Sequence, residues 1–261
     1  MKFLERIPGR VLDDGAWRFE LAEELNGGFG GTNGGTLAAV CVCAARSAAP
    51  GRIPIGIDAR FIRGFRPGVA RVVPTVLNEG RTLSTISVDV FTQDGKLSTR
   101  STIAFADPDA LAGVDKSGDR RISPELMAYE QGRLWRQPKG PQVIPLIDTF
   151  LPRLLGSSEA GIATGTRTIW DEPSATAEAA CITADISVGP PVAAALKGLP
   201  LAMPNPDITL RFTGARSESD HLVSVCRLEG VHNGLATTSL NVWSGSTLIA
   251  VGVSSTTCLK S

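Results

Sequence analysis

The first half of the chain combines strand-like segments with one run that is apolar on almost every side. This run, residues 36–47, consists mainly of Ala, Val, Leu and Cys. A helix on a protein surface would show a polar stripe, so the run predicts a helix surrounded by other elements. Segments rich in β-forming residues predict the strands 16–22, 55–62, 69–77, 83–91 and 97–105.

The second half repeats this order of elements. A strand is predicted at residues 161–170 and a helix at 175–186, followed by a proline-rich lead-in at 190–206. Four further strands are predicted at residues 208–213, 222–228, 236–243 and 247–255. Each half is therefore expected to contain a strand, a buried helix and a four-stranded antiparallel meander.

The two halves also correspond in detail, which indicates duplication of a whole domain. Residues 57–64 parallel residues 206–213, and the hairpin near residue 95 parallels the hairpin near residue 245. We expect an α+β protein in which a sheet curls around one central helix in each half, with the two sheets paired edge to edge. The predicted division is a first unit at 1–110, a connector at 111–153 and a second unit at 154–261.

Composition and charge narrow the classes of function. The chain of 261 residues carries 26 basic and 26 acidic side chains without a basic block, which argues against nucleic acid as a partner. The longest apolar run, residues 36–45, covers only about half of the roughly 20 residues that cross a bilayer. The N-terminus lacks the apolar segment of a secretory signal. We therefore expect a cytoplasmic protein without a membrane span.

Cysteine usage agrees with that location. The chain has five cysteines, and Cys41 and Cys43 lie two apart, on different sides of the predicted helix. Such a pair makes a poor metal chelate, and the two histidines of the chain are remote from it. We expect reduced thiols and no metal site.

Short motifs lie at the ends of several predicted elements. They are Phe-Gly-Gly at residues 29–31, Phe-Arg-Pro-Gly at 65–68, Leu-Asn-Glu-Gly-Arg-Thr-Leu-Ser at 77–84, Asp207 at a strand start and the last hairpin at 244–255. In this order the motifs resemble those of the acyl-CoA thioesterase II group within the double hotdog superfamily. The resemblance implies a double hotdog fold, in which two antiparallel sheets each wrap around a central helix.

The resemblance also implies hydrolysis of an acyl-CoA or another acyl thioester by an activated water, without a covalent intermediate. The family places an Asp, a hydroxyl residue and a Gln around that water. Asp207 is the predicted base here. The Gln position falls at Ser254, and the hydroxyl position falls near Leu228 or Glu229, so that Ser254 and Glu229 are the predicted assisting residues.

Two further groups are predicted to bind the substrate. The backbone amides of Gly30, Gly31 and Thr32 are candidates for the thioester carbonyl or the pantetheine arm. The structural alternative is that these glycines let a sheet pass close to a helix end. Arg66 and Arg81 are candidates for the CoA phosphates, with exposed ion pairing as the alternative. Coenzyme A would be part of the substrate, and no other cofactor is expected.

Two other functions stay open at the level of sequence. The missing Gln and hydroxyl residue are compatible with a non-catalytic protein that binds acyl-CoA or an acyl chain. An enoyl thioester hydratase or dehydratase is less favoured, because that branch needs a His shortly after its Asp and residues 208–212 contain none. Exposed sheet edges favour a homo-oligomer.

Overall fold

The structure is a computed structural model that describes residues 1–115, 126, 128–138, 143–197 and 201–260. Its helices are α1 (Phe3–Arg6), α2 (Gly34–Ser47), α3 (Leu146–Phe150), α4 (Thr176–Ser187) and α5 (Gly189–Ala195). The strands of the first half are β1 (Gly9–Val11), β2 (Trp17–Leu21), β3 (Ile53–Phe61), β4 (Gly68–Glu79), β5 (Leu83–Phe91) and β6 (Leu97–Ala106). Those that follow are β7 (Arg133–Leu134), β8 (Arg153–Ser158), β9 (Gly161–Arg167), β10 (Leu201–Ala202), β11 (Asp207–Phe212), β12 (His221–His232), β13 (Leu235–Ser244), β14 (Thr247–Thr257) and β15 (Leu259–Lys260).

One antiparallel sheet of 13 strands runs through both halves of the chain. Its order is β1-β2-β4-β5-β6-β3-β11-β14-β13-β12-β9-β8-β7. The order from β1 to β3 is mirrored from β8 to β11, and the two halves join where β3 pairs with β11, with Asp58 opposite Thr209. The mirrored order agrees with the predicted duplication, and the fold is the α+β double hotdog that the sequence resembles.

The central helices α2 and α4 pack against each other and against the inner face of the sheet. Both are buried over most of their length, as their all-round apolar sequences predict. They run antiparallel, because Gly35 near the start of α2 lies next to Asp185 near the end of α4, whereas Arg46 near the end of α2 donates hydrogen bonds to Glu178 near the start of α4. Within the described part of the chain, no helix is long and apolar enough to cross a membrane.

The two helices approach each other closely at Gly35. A Cβ atom at this position would lie 2.6 Å from the carbonyl oxygen of Cys181 and 2.7 Å from the Cα atom of Ile182. Both neighbours are backbone atoms inside a helix, so they have little freedom to move away. The close crossing of α2 and α4 therefore requires a residue without a side chain.

The predicted strands and both central helices are found within a few residues of their expected bounds. A difference follows α4. The sequence predicts only a proline-rich lead-in at residues 190–206, whereas α5 occupies Gly189–Ala195. Pro190 and Pro191 fall in the first turn of α5, where the missing backbone N–H has no helical acceptor to lose.

The connector expected at residues 111–153 is described only in part, since residues 116–125, 127 and 139–142 lie outside the described residues. Within the described part of the connector, Tyr129–Gln131 form a single 3-10 turn. Helix α3 is not predicted from the sequence. Its Leu146 amide donates to the carbonyl of Asn26, just before the glycine-rich loop at residues 27–33, at 3.1 Å. The domain boundaries at residues 110 and 153 stay a prediction.

Replacing Gly35 with Ala should lower the free energy of unfolding by about 1–3 kcal/mol, because the added methyl group would overlap the α4 backbone. Urea denaturation of the purified variant measures the change. Gly230→Ala is the matched control, since a Cβ atom there would meet nothing within 4 Å. Equal stability of Gly35→Ala and the control would contradict the proposed close packing of the helices.

Candidate active site

A cleft of about 620 Å³ opens where the N-terminus of α2 meets the C-terminal half of α4. Its walls include the glycine-rich loop at residues 27–33, the loop at 61–65 after β3, and residues 203–206 before β11. The large apolar side chains that line it include Leu37, Phe61, Phe65, Trp135, Ile144 and Ile186. A pocket of this kind, mostly apolar with a few polar groups, is typical of small-molecule binding.

The carboxylate of Asp185 lies in this cleft, and only 6% of the residue is exposed. The side-chain amides of Asn205 and Asn33 each donate to one of its two oxygens. The backbone amide of Gly35 also donates to the carboxylate. Burial raises the pKa of Asp185 above its ordinary value of 3.8, although the three donors act in the opposite direction. A desolvated carboxylate of this kind accepts a proton more readily than an exposed one.

The N-terminus of α2 places positive backbone charge next to Asp185. Asn33 caps the helix by accepting a hydrogen bond from the Thr36 amide at 3.1 Å, and its own side-chain amide points to the carboxylate. Gly34 leaves room for this contact, since a Cβ atom there would lie 3.0 Å from Asp185 Oδ1 and 2.5 Å from Phe61 Cε2. The helix dipole and the free amides of the first turn stabilise an anion at this position.

Asn205 is held in place by the backbone on both sides of it. The Pro206 carbonyl accepts a hydrogen bond from the Phe61 amide at 2.8 Å. The Pro204 carbonyl accepts one from the Thr257 amide at 2.9 Å. Asn205 is therefore fixed between β3 and β14, with its side chain directed to Asp185 rather than left mobile in a loop.

Two of the three backbone amides predicted to bind substrate donate hydrogen bonds to carbonyl groups of the protein itself. The Gly30 amide donates to the Gly27 carbonyl at 3.3 Å, and the Thr32 amide donates to the Phe65 carbonyl at 2.7 Å. Gly31 lines the cleft, and its amide has no acceptor among the described residues. Of the three predicted donors, the structure leaves the Gly31 amide available to a ligand.

Asp207 begins β11, as predicted, but its side chain faces away from the central helices. Its neighbour Ile208 is fully buried, and side chains alternate between the two faces of a strand. The Asp207 carboxylate pairs with Arg60 on β3 and accepts a hydrogen bond from the Ser255 amide at 2.8 Å. Ser254 faces inward and donates its hydroxyl to the Asp207 main-chain carbonyl at 2.7 Å. The structure thus brings Asp207 and Ser254 together, but neither residue lines the cleft.

Glu229, the other predicted assisting residue, lies apart from the cleft at a β-bulge in β12. Its carboxylate accepts hydrogen bonds from the Ser239 hydroxyl and from the Arg227 guanidinium. These two contacts, with that from Ser239 the larger, hold the pKa of Glu229 below its ordinary value of 4.5. A carboxylate of lowered pKa that is already paired is a poor base, so the arrangement does not favour the predicted role.

The two predicted phosphate-binding arginines lie in different places. Arg66 lines a second cleft of about 770 Å³, which adjoins the first at Phe65. Arg81 lies in the turn between β4 and β5, where its carbonyl accepts a hydrogen bond from Arg52 at 3.4 Å. Arg81 lines neither of the two clefts.

Three residues of this candidate site, Asp185, Asn33 and Asn205, are not predicted from the sequence. A signal for Asp185 is present in the chain, because it is one of two acidic residues in a predicted helix that otherwise consists of small and apolar residues. Charged residues are rarely fully buried without a partner or a function, so an Asp in such a helix merits attention. The two asparagines lie 152 and 20 residues away from it along the chain, and local sequence gives no sign that they converge on it.

The opposite end of the helix pair has a different arrangement. Arg46 of α2 forms a bidentate ion pair with Glu178 of α4, at 2.8 and 3.0 Å, and also donates to the Ser174 carbonyl at 2.7 Å. The Glu178 side chain is only 2% exposed. The duplicated fold therefore has an amide-bound carboxylate at one end of the helix pair and a closed ion pair at the other.

Comparison with known sequences supports the resemblance for the first unit. Residues 22–106 match the sequence profile of the acyl-CoA thioesterase N-terminal domain. Uncharacterized proteins of Mycobacterium tuberculosis and Mycobacterium bovis are each 30% identical to the chain over 122 residues. That alignment spans 44% of this chain and only 42% of the length of these relatives.

Solved structures show the same fold along almost the whole chain. An acyl-CoA thioesterase II from Mycobacterium marinum has a TM-score of 0.75 at 16% identity, covering 100% of this chain and 98% of its own. A hot dog fold protein from Alicyclobacillus acidocaldarius has a TM-score of 0.77 at 19% identity, covering 96% and 95%. At sequence identities this low, the structural similarity establishes the double hotdog fold and nothing further.

Replacing Glu178 with Gln should lower the free energy of unfolding by about 3 kcal/mol, because Arg46 would keep a largely buried guanidinium without its anionic partner. Urea unfolding at neutral pH measures the loss. Glu20→Gln serves as the control, because Glu20 pairs with Arg18 only at 3.5 Å and both side chains are exposed. If both variants lost the same small amount of stability, the buried pair would not have the structural role assigned to it.

Proposed function

We propose that this chain hydrolyses acyl-CoA thioesters and that Asp185 is the base that activates the attacking water. The observation that carries the proposal is a buried carboxylate of raised pKa in an apolar cleft, held by Asn33 and Asn205 at a helix N-terminus. The profile match of residues 22–106 supports the same class of substrate.

The proposed reaction needs only one general base. A water molecule bound to Asp185 attacks the thioester carbonyl carbon, and its proton passes to the carboxylate. The C–S bond then breaks, and the products are a carboxylic acid and the thiol of CoA, which receives the proton from Asp185. A thiol with a pKa of about 8.5 is a good leaving group, so a separate strong acid is not required.

The cleft supplies groups for both the apolar and the polar parts of the substrate. Its apolar walls suit an acyl chain. The available Gly31 amide is suited to stabilise the oxyanion that forms on the thioester carbonyl. The Thr32 hydroxyl and the Trp135 indole N–H are buried at the cleft without a hydrogen-bond partner in the described part of the protein. Since unpaired buried polar atoms cost free energy, we assign them to the pantetheine amides.

One observation favours a second function, the binding of acyl-CoA without turnover. Both oxygens of Asp185 already accept hydrogen bonds from side-chain amides. In that alternative the carboxylate would act only as a structural anchor for the start of α2. The hydratase alternative gains no support, because none of the described residues lining the cleft is a histidine.

The remaining expectations from the sequence stay predictions. They are a cytoplasmic location, a homo-oligomeric state, and a reaction without a cofactor beyond the CoA of the substrate. The proposed mechanism is compatible with the last of these, since every proton transfer in it uses a residue of the chain or water.

Asp185→Asn should reduce kcat for acyl-CoA hydrolysis by about 10²- to 10⁴-fold, because the amide cannot accept the proton of the attacking water. Release of free thiol from a panel of saturated acyl-CoAs of different chain length measures the rate. Binding of a non-hydrolysable acyl-CoA analogue should be retained, since the shape of the side chain is nearly unchanged.

Asp207→Asn is the matched comparison, because it makes the same chemical change at the base predicted from sequence. Its kcat should stay within a few-fold of the unmodified protein. A large loss in Asp207→Asn with an active Asp185→Asn would return the catalytic role to Asp207. Tight binding without turnover in the unmodified protein would establish the non-catalytic alternative.

A further inference from the structure

A third cleft, of about 220 Å³, lies at the opposite end of the helix pair from Asp185. Arginines line it together with apolar and small residues. We propose that this arginine cleft, lined by Arg46, Arg52 and Arg216, is a second ligand site that binds a small carboxylate with a short apolar tail. The inference goes beyond the proposed function and does not depend on it, since the described residues of the two clefts do not overlap.

The arginine cleft occupies the position at which duplication of the fold would place a second active site. The cleft at Asp185 lies between the start of α2, the end of α4, the segment before β11 and the loop after β3. The arginine cleft lies between the start of α4, the end of α2, the segment before β3 and the loop after β11. The two clefts therefore correspond between the halves, but among the described residues the charged side chains of the second are all arginines.

Within the described structure, the protein neutralises only one of the three arginines. Arg46 is held by the carboxylate of Glu178 at 2.8 and 3.0 Å. Arg52 donates to the Gly80 carbonyl at 2.7 Å, which is a neutral acceptor. The exposed side chain of Arg216 forms no ion pair or hydrogen bond with the described residues. The cleft therefore carries a net positive charge that attracts an anion.

Arg52 carries a buried donor that lacks an acceptor. Its Nη2 donates to the carbonyls of Gly80 and Arg81 in the turn between β4 and β5. Its Nη1 is buried and has no hydrogen-bond partner in the described part of the protein. An unpaired buried donor on a charged group costs free energy. A ligand carboxylate would supply the missing acceptor, and its hydrogen bonds to a guanidinium are charge-assisted.

The start of α4 adds a further feature that favours an anion. Thr176 and Ala177, in the first turn of this helix, line the cleft. Unlike α2, which Asn33 caps, α4 has no side-chain cap at its N-terminus. Glu178, in the same turn, is directed to Arg46. The positive end of the helix dipole thus borders the cleft without a capping side chain.

The walls and the size of the cleft favour an organic anion over an inorganic one. Its apolar side chains include Ile53, Pro54, Phe212 and Ile249. Phosphate would leave these side chains uncovered, whereas a short hydrocarbon tail would bury them. A volume of about 220 Å³ is below the roughly 300–1,000 Å³ of pockets for drug-sized ligands, so we expect only a few carbon atoms in the tail.

A ligand-observed NMR titration of the full chain with butanoate tests the proposal. Arg216→Ala and Arg52→Lys should each weaken butanoate binding by about tenfold or more, because each removes guanidinium donors. Both variants are expected to fold, since Arg216 is exposed and a lysine at position 52 keeps a donor for the Gly80 carbonyl. Arg10→Ala is the matched control, because Arg10 is exposed and lies outside the cleft. It should bind butanoate like the unmodified protein.

Three comparisons identify the ligand and the place where it binds. Butyramide, the neutral analogue, and inorganic phosphate should each bind more weakly than butanoate. Asp185→Asn should leave butanoate binding unchanged, whereas butanoate in the active-site cleft would bind more tightly once this carboxylate is removed. Absence of butanoate binding, unchanged affinity in either arginine variant, equal binding of butyramide or tighter binding of phosphate would overturn the proposal. If acyl-CoA is not hydrolysed but butanoate binds through the arginines, the proposed function fails and this site stands.

Discussion

The burial of the Asp185 carboxylate against the N-terminus of α2 is the interaction on which the proposed site depends. It requires α2 and α4 to cross closely, and Gly34 and Gly35 allow this because they carry no side chains. Burial favours the protonated acid, while the amides of Asn33, Asn205 and Gly35 favour the anion. The raised pKa shows that burial is the larger effect. Ionisation of Asp185 therefore lowers the stability of the folded protein as pH rises from about 3.8 through the raised pKa.

Duplication of the fold has not produced two equal sites. Both ends of the antiparallel helix pair have a helix N-terminus that faces the partner helix. At one end, the buried Asp185 borders an apolar cleft and is held by neutral amides, so it remains able to accept a proton. At the other end, the Arg46–Glu178 ion pair fixes both charges in a closed bidentate contact. The architecture is thus symmetric, whereas the proposed chemistry is confined to one end.

The sequence predicts the architecture well because the architecture depends on local patterns. The alternation of apolar residues in the strands and the all-round apolar sequence of the two helices reflect a sheet wrapped around buried helices, and each half shows the pattern independently. The short helix α5 and the connector elements are less predictable. Pro190 and Pro191 are typical of both an extended lead-in and a first helical turn. Packing against the rest of the molecule decides between them.

The proposed site is predicted from the sequence only in part, for a different physical reason. The family resemblance predicts Asp207, at the start of a strand, as the base, and Asp207 does begin β11. In the structure, β11 pairs with β3 so that Asp207 lies opposite Arg60. The alternation of side chains along the strand then places the Asp207 carboxylate on the outer face of the sheet, where it pairs with Arg60. The residues around Asp185 come from the start of α2, the end of α4 and the segment before β11. Their convergence depends on how the duplicated halves pack together, which no local sequence pattern contains.

The most direct test of this account is the titration of the Asp185 side-chain carboxyl carbon by NMR, with Asp185→Asn used to assign its resonance. The account predicts a midpoint clearly above 3.8 in the folded protein, because burial disfavours the ionised form more than the three amide donors favour it. A midpoint at or below 3.8 would show that the donors dominate. Asp185 would then be a stabilised structural anion, and the proposed base would have to be sought elsewhere.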